Sequence, residues 1–329
     1  MTRRAAVIGC GFIGAGAVVP GSGIQSHAAA WCHHPGTELA GLADNDGARL
    51  AKAGRRWDVT ALFDSADRLL EATAPEIVSV STPDATHATV LDRVLDAPSV
   101  RAVLMEKPLA LDFEAARALV RKAERRGIVL AVNYVRRYAP SHQHLRRWLA
   151  SEPIGPVELV RGSYANGLKH NGSHWIDLAR FLVGEIASVE GFGPVDAEAT
   201  DATIDVRFDF ESGARGLLHG LRAVPYSLFE LDIVGPKGRV RIIEGGQRVE
   251  VFTVAGSRRF PGFRELLPAV GPSGGLADLL MHAASDVVEA LATGREPAGT
   301  GADAVTALGW AVLALEDAKR REGHVLLSR

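Results

Sequence analysis

The sequence feature that most constrains the fold is a short apolar run followed by three glycines at fixed spacing. Ala5–Ile8 leads directly into Gly9-Cys10-Gly11-Phe12-Ile13-Gly14, a Gly-x-Gly-x-x-Gly pattern. In a strand–turn–helix unit that binds a dinucleotide, the first glycine makes the tight turn, the second lets the backbone approach the pyrophosphate, and the third allows close packing. The helix that follows offers unpaired N–H groups to the phosphates. Cofactor contacts are therefore predicted for Gly9, Gly11, Phe12, Ile13 and Gly14.

An acidic residue follows the second predicted strand. Thr37–Ala43 ends at Asp44, whose carboxylate can accept hydrogen bonds from both hydroxyls of an adenosine ribose. Because a carboxylate there repels a 2′-phosphate, the sequence favours NAD over NADP, although Arg49, Arg55 and Arg56 follow closely enough to accommodate that phosphate. The alternative is that Asp44 only caps the next helix.

The spacing between these two motifs is unusually long. Asp44 follows Gly14 by 30 residues, whereas about 20 is usual. The extra residues lie in Ala15–Ser26, which contains Pro20-Gly21-Ser22-Gly23. We therefore expect a longer loop before the first helix, which should begin near Ser26 or His27.

Composition excludes several classes of partner. The chain has 329 residues with 37 basic and 39 acidic side chains, so its net charge of −2 favours neither nucleic acid nor an anionic membrane. Its two cysteines are consistent with a reducing compartment. Thr2-Arg3-Arg4 before a small-residue run resembles an export signal, but the same run supplies the first strand and the glycine loop. The prediction is a cytoplasmic protein without a membrane span.

The first part of the chain alternates strand and helix patterns, which indicates a doubly wound parallel sheet. Strands are predicted at 4–9, 37–43, 59–62, 76–81, 100–105 and 128–133. Helices are predicted near 27–34, 46–56, 65–73, 85–97 and 112–126. Asp112 is expected to cap the last of these helices and Gly127 to end it. In such sheets, ligands bind beyond the carboxyl ends of the strands.

After about Tyr134 the pattern changes to an α+β arrangement with a large, mostly antiparallel sheet. Strands are predicted at 156–164, 188–193, 202–210, 215–221, 227–234, 239–243 and 248–254. Helices are predicted at 140–151, 174–183, 276–292 and 302–322. The stretch 258–275 holds seven Gly and Pro residues and is expected to be a loop.

Two predicted strand ends of the first domain carry polar segments. Ser81-Thr82-Pro83-Asp84-Ala85-Thr86-His87 follows the fourth strand, where its backbone and small side chains would face the nicotinamide or its ribose. The alternative is an ordinary strand–helix turn. Met105-Glu106-Lys107-Pro108 follows the fifth strand. Lys107 there can donate a hydrogen bond to a substrate oxygen or relay a proton, and the Lys107–Pro108 bond is a candidate cis peptide. The alternative is a surface lysine.

A third segment, Lys169-His170-Asn171-Gly172-Ser173-His174-Trp175-Ile176-Asp177, lies at the start of the first long helix of the second domain. A histidine at a helix N-terminus is favoured in its neutral form, which can act as the general base for a hydroxyl proton. His170 and His174 would share a face of a continuous helix, but Gly172 leaves open that His170 belongs to the preceding loop. A metal site is the rival interpretation. It lacks a third ligand at standard spacing, so no metal is predicted.

Five features, taken in chain order, resemble the Gfo/Idh/MocA oxidoreductases, relatives of glucose–fructose oxidoreductase and inositol dehydrogenase. They are the glycine motif, Asp44, Ser81-Thr82-Pro83…His87, Glu106-Lys107-Pro108 and Gly172-Ser173-His174-Trp175-Ile176-Asp177. The resemblance implies a Rossmann NAD-binding domain, 1–133, and a substrate-binding domain, 134–329. The open sheet of the second domain is expected to form a homodimer or homotetramer interface. Cofactor contacts are extended to Ser81, Thr82, Pro83, His87, Glu106 and Lys107. The resemblance makes Lys107 the active-site lysine and His174 the catalytic histidine.

The chain departs from the family pattern at one position. The commonest form of the third motif is Asp-x-Gly-x-His, and His170 occupies the position of the aspartate. Either His170 or Asn171 is expected to take over its contact, so His170 is included among the catalytic candidates. Substrate contacts are predicted for Lys107, Asn133, Arg137, Tyr164, Asn171 and His174. Arg137 is equally suited to a structural ion pair.

These observations predict an NAD-dependent oxidoreductase that transfers a hydride between the nicotinamide and a secondary alcohol or ketone of a sugar, cyclitol or nucleotide sugar. Two alternatives remain open. One is redox-neutral, enone-reducing or imine-reducing chemistry on the same fold. The other is a non-catalytic NAD-binding regulator, which is motivated by the missing aspartate.

Overall fold

The computed structural model describes residues 2–17, 23–193, 201–221, 224–226 and 228–322. The strands are β1 Arg3–Ile8, β2 Thr37–Ala43, β3 Leu62–Phe63, β4 Ile77–Val80, β5 Ala102–Met105, β6 Val129–Val132, β7 Leu159–Ala165, β8 Ile186–Phe192, β9 Asp205–Phe210, β10 Arg215–Leu221, β11 Phe229–Gly235, β12 Gly238–Ile243, β13 Arg248–Gly256 and β14 Arg264–Ala269. The helices are α1 Phe12–Ala15, α2 His27–His33, α3 Gly47–Trp57, α4 Ala66–Thr73, α5 His87–Asp96, α6 Phe113–Arg126, α7 Val135–Tyr138, α8 Pro140–Leu149, α9 Ser173–Val183, α10 Leu279–Thr293 and α11 Gly301–Glu322.

The chain divides into two compact units. The first comprises Met1–Ala139 and Ala277–Thr306, and the second comprises Pro140–Leu276 and Ala307–Arg329. The sequence predicted a single division after residue 133, so α10 is the main difference between the two descriptions. This helix packs on α2, α7, β5 and β6 and buries its apolar face there, which explains why it belongs with the first unit.

The first unit contains one parallel sheet with the strand order β3-β2-β1-β4-β5-β6. This is the order of a doubly wound dinucleotide-binding sheet, as predicted. Strands β4 and β5 are buried at every position, because helices cover both faces of such a sheet. The side chain of Asp112 accepts a hydrogen bond from the N–H of Ala115, and Gly127 ends α6 with φ of 62°, so both predicted ends of this helix are confirmed.

The long spacing after the glycine motif contains two helices rather than one. The single turn α1 begins within the motif, and α2 begins at His27 with the hydroxyl of Ser26 accepting from the N–H of Ala29. The predicted start of the longer helix is thus confirmed. Residues 18–22 of the intervening run lie outside the described residues.

The second unit contains an eight-stranded sheet with the order β14-β13-β12-β11-β7-β10-β9-β8. All pairs are antiparallel except β7 with β10, which confirms the mostly antiparallel sheet. Burial alternates along β9, β11 and β12, so one face packs on a core and the other is more exposed. Trp175 of α9 stacks on Phe208 on the buried face.

The prediction of a loop over 258–275 is wrong for part of that stretch. Arg264–Ala269 forms β14, which pairs antiparallel with Val251–Gly256 at the edge of the sheet. A proline is compatible with an edge strand because one side of that strand needs no hydrogen-bond donor, and Pro268 therefore misled the sequence interpretation. The predicted strand 227–234 is observed from Phe229, and Ser227 lies outside the described residues.

Candidate active site

The glycine motif forms a tight connection between the ends of β1 and β4. Gly9 has φ of 95°, and a Cβ atom placed on it would lie 2.5 Å from the carbonyl oxygen of Ser81. A Cβ atom on Gly14 would overlap the carbonyl oxygen of Gly9 and approach Oγ of Ser81 to 2.5 Å. A Cβ atom on Gly11 would meet nothing within 4 Å. Packing therefore requires Gly9 and Gly14, whereas Gly11 faces open space that a phosphate can enter.

A cavity of about 510 Å³ extends from the glycine motif along the carboxyl ends of β1, β2 and β4. Eight of the predicted cofactor residues line it: Gly9, Gly11, Phe12, Ile13, Asp44, Ser81, Thr82 and Pro83. The side chains of Phe12 and Ile13 are exposed, at 66% and 41%. The glycine cradle and the acidic residue fit a dinucleotide, with the pyrophosphate near Gly11 and a ribose near Asp44.

Asp44 ties the glycine motif to the end of β2. Its Oδ2 accepts a hydrogen bond from the N–H of Cys10 at 2.7 Å, and its Oδ1 accepts from the N–H of Asp46 at 2.8 Å. The guanidinium of Arg49 lies 3.3 Å from both oxygens. Asp46, rather than Asp44, caps α3 by accepting from the N–H of Arg49. The structure therefore contradicts the alternative that Asp44 only caps this helix.

Cys10 acts as a small buried side chain within the motif. Burial and the neighbouring Asp44 carboxylate raise the pKa of its thiol to about 12, against a smaller lowering by Arg49. The thiol lies 3.6 Å from the carbonyl oxygen of Ala43. A protonated thiol is a poor nucleophile, so Cys10 contributes packing rather than chemistry.

The segment after β4 is both a strand–helix turn and part of the cavity lining, the two alternatives that the sequence left open. Oγ of Ser81 donates to the carbonyl oxygen of Gly9 at 2.9 Å. Thr82 and Pro83 line the cavity. His87, the first residue of α5, is buried, and its two ring nitrogens lie 2.6 Å and 2.7 Å from the carbonyl oxygens of Pro108 and Thr82. His87 therefore connects the loops after β4 and β5 and does not line the cavity.

A buried polar network surrounds Glu106 at the end of β5. Its Oε1 lies 3.0 Å from Nε2 of His27 and accepts from Nδ2 of Asn133 at 2.6 Å. Burial opposes the charged carboxylate, but the hydrogen bonds from His27 and Asn133 and the charge of Lys107 outweigh it, so the pKa of Glu106 is lowered. Nδ2 of Asn133 is thus used within the protein, and the side chain is buried.

His27 is part of this network and was not predicted from the sequence. Its only local distinction is its place as the first residue of the alanine-rich helix α2. Lys107 follows Glu106, is partly exposed, and precedes Pro108 through a cis peptide bond. The network thereby holds the backbone immediately before the candidate active-site lysine.

In the second unit, the third motif forms a π-helical turn followed by α9. The turn covers Gly167–Gly172, so His170 lies before the regular helix, and His174 is the second residue of α9. Single π-helical turns are frequent at functional sites. A Cβ atom on Gly172 would come within 2.6 Å of Leu168 and 3.1 Å of the ring of Tyr164, which explains the glycine. Nδ2 of Asn171 donates to the carbonyl oxygen of Ala165.

Asp201 holds the same turn and was also missed by the sequence interpretation. Its two carboxylate oxygens accept from the N–H groups of Lys169 and His170, each at 2.8 Å. Burial raises the pKa of Asp201, and these two hydrogen bonds lower it to a smaller extent. No local pattern could have identified this residue, because it lies 31 residues after His170.

Two predicted substrate contacts have structural partners. The hydroxyl of Tyr164 donates to the carbonyl oxygen of Ile204 at 2.9 Å and accepts from its N–H at 3.0 Å, and the side chain is fully buried. Arg137 is 6% exposed and pairs with Asp303 at 3.0 Å within the first unit. This ion pair is the alternative that the sequence left open for Arg137.

Among residues 2–17, 23–193, 201–221, 224–226 and 228–322, no group of three or more His, Cys, Asp and Glu side chains is arranged to hold a metal ion. None of the helices in the described part is both long enough and apolar enough to cross a membrane.

Two family models match the sequence. One, described as the oxidoreductase family with an NAD-binding Rossmann fold, matches residues 4–134. The other, described as the GFO/IDH/MocA C-terminal domain, matches residues 142–241. Together these ranges cover well over half of the chain.

Individual relatives and solved structures share low sequence identity with this chain. The D-apiose dehydrogenase of Paraburkholderia graminis is 27% identical over 281 residues, which span 78% of this chain and 71% of that protein. The scyllo-inositol 2-dehydrogenase (NAD(+)) of Bacillus subtilis is 26% identical over 230 residues, spanning 63% and 67%. An oxidoreductase from Agrobacterium radiobacter, solved in complex with NAD+, L-tartaric acid and magnesium, has a TM-score of 0.77 at 21% identity and covers 98% of this chain and 97% of its own. This last similarity shows a shared fold.

Proposed function

The chain belongs to the Gfo/Idh/MocA family of oxidoreductases, and on that premise we propose that it is a dehydrogenase for a sugar, cyclitol or nucleotide sugar with NAD as its cofactor. The reaction is the reversible conversion of a secondary alcohol to a ketone. The relatives named for D-apiose and scyllo-inositol support this class of substrate. The family resemblance supports the assignment of roles to individual residues.

The observation that carries the proposal is the cavity at the carboxyl ends of β1, β2 and β4. Its glycine cradle leaves open space at Gly11, and Asp44 stands where a ribose would need an acceptor. The cofactor contacts proposed from the cavity lining are the eight residues named above. His87 and Glu106 hold the loops that follow β4 and β5, and both are proposed as positioning residues.

The proposed chemistry divides between two side chains. NAD held at the glycine motif and Asp44 would supply the hydride acceptor for oxidation of the substrate carbon, and its reduced form the hydride donor for the reverse reaction. His174 takes the proton of the substrate hydroxyl during oxidation and gives it back during reduction. Lys107 donates a hydrogen bond to a substrate oxygen and stabilises negative charge that develops on it. His170 and Asn171 are proposed as substrate contacts in place of the aspartate of the commoner motif.

The first test measures NADH formation with a panel of inositols, free sugars, sugar phosphates and nucleotide sugars. Turnover is expected on one of these classes. His174→Ala and Lys107→Ala should each reduce turnover by about a hundredfold or more, the range for lost acid–base catalysis, while the dissociation constant of NADH stays within about threefold, well under the roughly 1.4 kcal/mol of a tenfold change. His144→Ala and Lys237→Ala, both at exposed positions, are the matched controls.

Two outcomes would contradict the proposal. If NADH does not bind to the wild-type protein, the cofactor assignment is wrong. If Lys107→Ala weakens NADH binding as much as it slows turnover, Lys107 serves the cofactor and not the substrate oxygen.

We also propose that the protein is cytoplasmic and forms a homodimer or homotetramer through the more exposed face of the eight-stranded sheet. Cys10 and Cys32 are both free thiols, as expected in a reducing compartment. The sheet face carries the exposed Leu217 and a network in which Asp232 pairs with Arg161 and Arg239. Sedimentation of the wild-type protein at its monomer mass of 34.9 kDa would contradict the oligomer, and Leu217→Asp is expected to weaken it.

A further inference from the structure

The hairpin of β13 and β14 lies at the edge of the eight-stranded sheet and has little packing of its own. From Phe252 to Val270 none of the described residues is buried, and the edge strand β14 pairs with β13 alone in the described sheet. A two-stranded hairpin is marginally stable in water unless a further strand or a helix packs on it. The outer part of this hairpin therefore lacks the packing that stabilises the rest of the sheet.

The hairpin segment, residues 257–270, exposes a cluster of apolar side chains. Of the eleven large apolar side chains that are exposed in the described part of the chain, four lie in this segment: Phe260, Phe263, Leu266 and Val270. The rings of Phe260 and Phe263 are 63% and 70% exposed and contact each other edge to face. Such a concentration of exposed apolar surface is typical of a surface that binds a partner.

The charged residues of the hairpin segment are mostly arginines. Arg258, Arg259 and Arg264 are exposed, and their side chains form no hydrogen bond or ion pair with another described residue. Glu265 is the one acidic residue of the segment, and it accepts from the N–H of Arg258. Aromatic residues and arginine are enriched at protein interfaces. The partner of this segment should therefore offer apolar surface with negative charge beside it.

The first unit contains a cavity with this complementary character. It has a volume of about 360 Å³ and is formed by α4, α5 and the residues that follow each helix. Leu70 and Pro98 contribute to its apolar lining. Its charged lining consists of three carboxylates and one guanidinium, those of Asp67, Glu71, Asp96 and Arg93. We call this the α4–α5 cavity.

Two of the three carboxylates are available to a partner. Asp67 and Glu71 are exposed and lie four residues apart on the same side of α4. Neither forms an ion pair with another described residue. Asp96, in contrast, pairs with Lys122 at 2.8 Å. The α4–α5 cavity thus combines apolar surface with two unpaired negative charges, which complements the exposed rings and unpaired arginines of the hairpin segment.

We propose that the hairpin segment docks in the α4–α5 cavity of a second copy of this chain. The rings of Phe260 and Phe263 enter the cavity, and the arginines of the segment face Asp67 and Glu71. A contact between two different surfaces leads to open filaments unless symmetry closes it. Two copies close it about a two-fold axis when each places its hairpin segment in the cavity of the other. This contact is separate from the one proposed for the sheet face, and the two together produce a tetramer.

The mass of the full chain in solution tests this contact. Sedimentation should show a dimer if the hairpin contact acts alone and a tetramer if the sheet face also associates. Phe260→Ser combined with Phe263→Ser should halve the mass. Both side chains are exposed, so circular dichroism should show an unchanged fold. Leu313→Ser, at an exposed apolar position of α11, is the matched control and should leave the mass unchanged.

An exchange of charges identifies the partner surface. Arg258→Glu combined with Arg259→Glu should halve the mass, because it places carboxylates opposite carboxylates. Asp67→Lys combined with Glu71→Lys should do the same with positive charges. All four substitutions together should restore the mass of the wild-type protein, which only surfaces that face each other can do.

Three outcomes would overturn the proposal. A wild-type protein that sediments at the monomer mass of 34.9 kDa, or a phenylalanine variant that keeps the wild-type mass, means that the hairpin segment does not join two copies. If the phenylalanine variant halves the mass but the four charge substitutions do not restore it, the segment binds a surface other than the α4–α5 cavity. If the wild-type protein floats with vesicles of phosphatidylcholine and phosphatidylserine and the phenylalanine variant loses only this property, the segment contacts a membrane instead.

Leu217→Asp separates this contact from the one proposed for the sheet face. It should reduce a tetramer to a dimer, which the phenylalanine substitutions then reduce to monomers. If Leu217→Asp leaves the mass unchanged while the phenylalanine variant halves it, the sheet-face contact is wrong and the hairpin contact stands.

Discussion

In the first unit, the glycine motif is held by backbone groups at the ends of neighbouring strands, whereas in the second unit the turn before His174 is held by side chains from elsewhere in the chain. Gly9 packs directly against the main chain of Ser81, and Gly14 packs directly against the main chain of Gly9. The turn Gly167–Gly172 instead depends on Asp201, Thr203 and the ring of Tyr164.

This difference explains why the glycine motif is recognisable from its own sequence, whereas the support of the turn before His174 is not. When two stretches of backbone approach closely, only glycine fits, and the requirement leaves a pattern in the local sequence. When a turn is supported by a distant carboxylate or a buried ring, its own sequence need not record the support. The second motif therefore forms its turn before α9 with His170 at the position where the commoner motif has an aspartate.

The largest expected loss of stability follows from a substitution in the glycine motif. Gly14→Ala should lower the free energy of unfolding by about 3 kcal/mol or more, because its Cβ atom overlaps the backbone of Gly9 and cannot be relieved by a flexible side chain. Urea unfolding measures this loss. A stable Gly14→Ala protein would mean that Gly14 does not pack closely against the backbone of Gly9.

Gly11→Ala is the matched control for that substitution. Its methyl group meets no protein atom within 4 Å, so unfolding should be unchanged. The affinity for NADH should nevertheless fall by about tenfold, or roughly 1.4 kcal/mol, because the methyl group occupies the space that the pyrophosphate needs. A change in stability without a change in affinity would contradict the proposed position of the pyrophosphate.

The next largest effect is expected at the buried network behind the first motif. Glu106→Gln should lower the free energy of unfolding by about 2 kcal/mol at neutral pH, because charge-assisted hydrogen bonds to His27 and Asn133 are replaced by neutral ones. Chemical denaturation of the wild-type protein and the variant between pH 4 and 8 measures the difference.

The pH dependence of this difference has a definite sign. The pKa of Glu106 in the folded protein lies below its ordinary value of 4.5, so the folded state favours the ionised carboxylate. The stabilisation is therefore fully present above about pH 5 and is lost as the pH falls through the lowered pKa. A difference that grows on acidification would show that the carboxylate is not held in its charged form.

A smaller effect is expected in the second unit. Asp201→Ala should lower the free energy of unfolding by about 1 to 2 kcal/mol, since two N–H groups at the start of the π-helical turn lose their acceptor. The backbone at His170 would then be less fixed, so turnover should fall while NADH affinity is retained. Paired measurements of turnover and NADH binding separate this result from a loss of folded protein.

Tyr164→Phe is the control for Asp201→Ala and has the smallest expected effect. It removes a hydroxyl that donates to the carbonyl oxygen of Ile204 and accepts from its N–H, so the expected loss of stability is about 1 kcal/mol. Turnover should remain close to the wild-type value. A large loss of turnover would restore Tyr164 as a substrate contact, which was the prediction from the sequence.

Much of the first unit could be predicted from its sequence. The six strands, the caps of α6, and the cavity residues around Gly11, Asp44 and Thr82 were found at or near their expected positions. The exceptions, which come from both units, are informative. His27 and the edge strand β14 left no usable local signal, because one depends on a partner 79 residues away and the other on pairing with β13. Arg137 and Tyr164 are suitable residue types for a substrate site, but their partners are structural.

The sequence by itself determined the doubly wound fold and the position of the nucleotide motif, whereas the residues proposed to carry the chemistry were identified through a resemblance to a family. The fold and the motif depend on backbone geometry and on hydrophobic periodicity, which act over a few neighbouring residues. Only the tertiary structure decided that Asp201 supports the turn at His170 and that Glu106 is held by His27 and Asn133. Such groupings arise when segments distant in sequence meet in space, and no local pattern specifies which side chains they bring together.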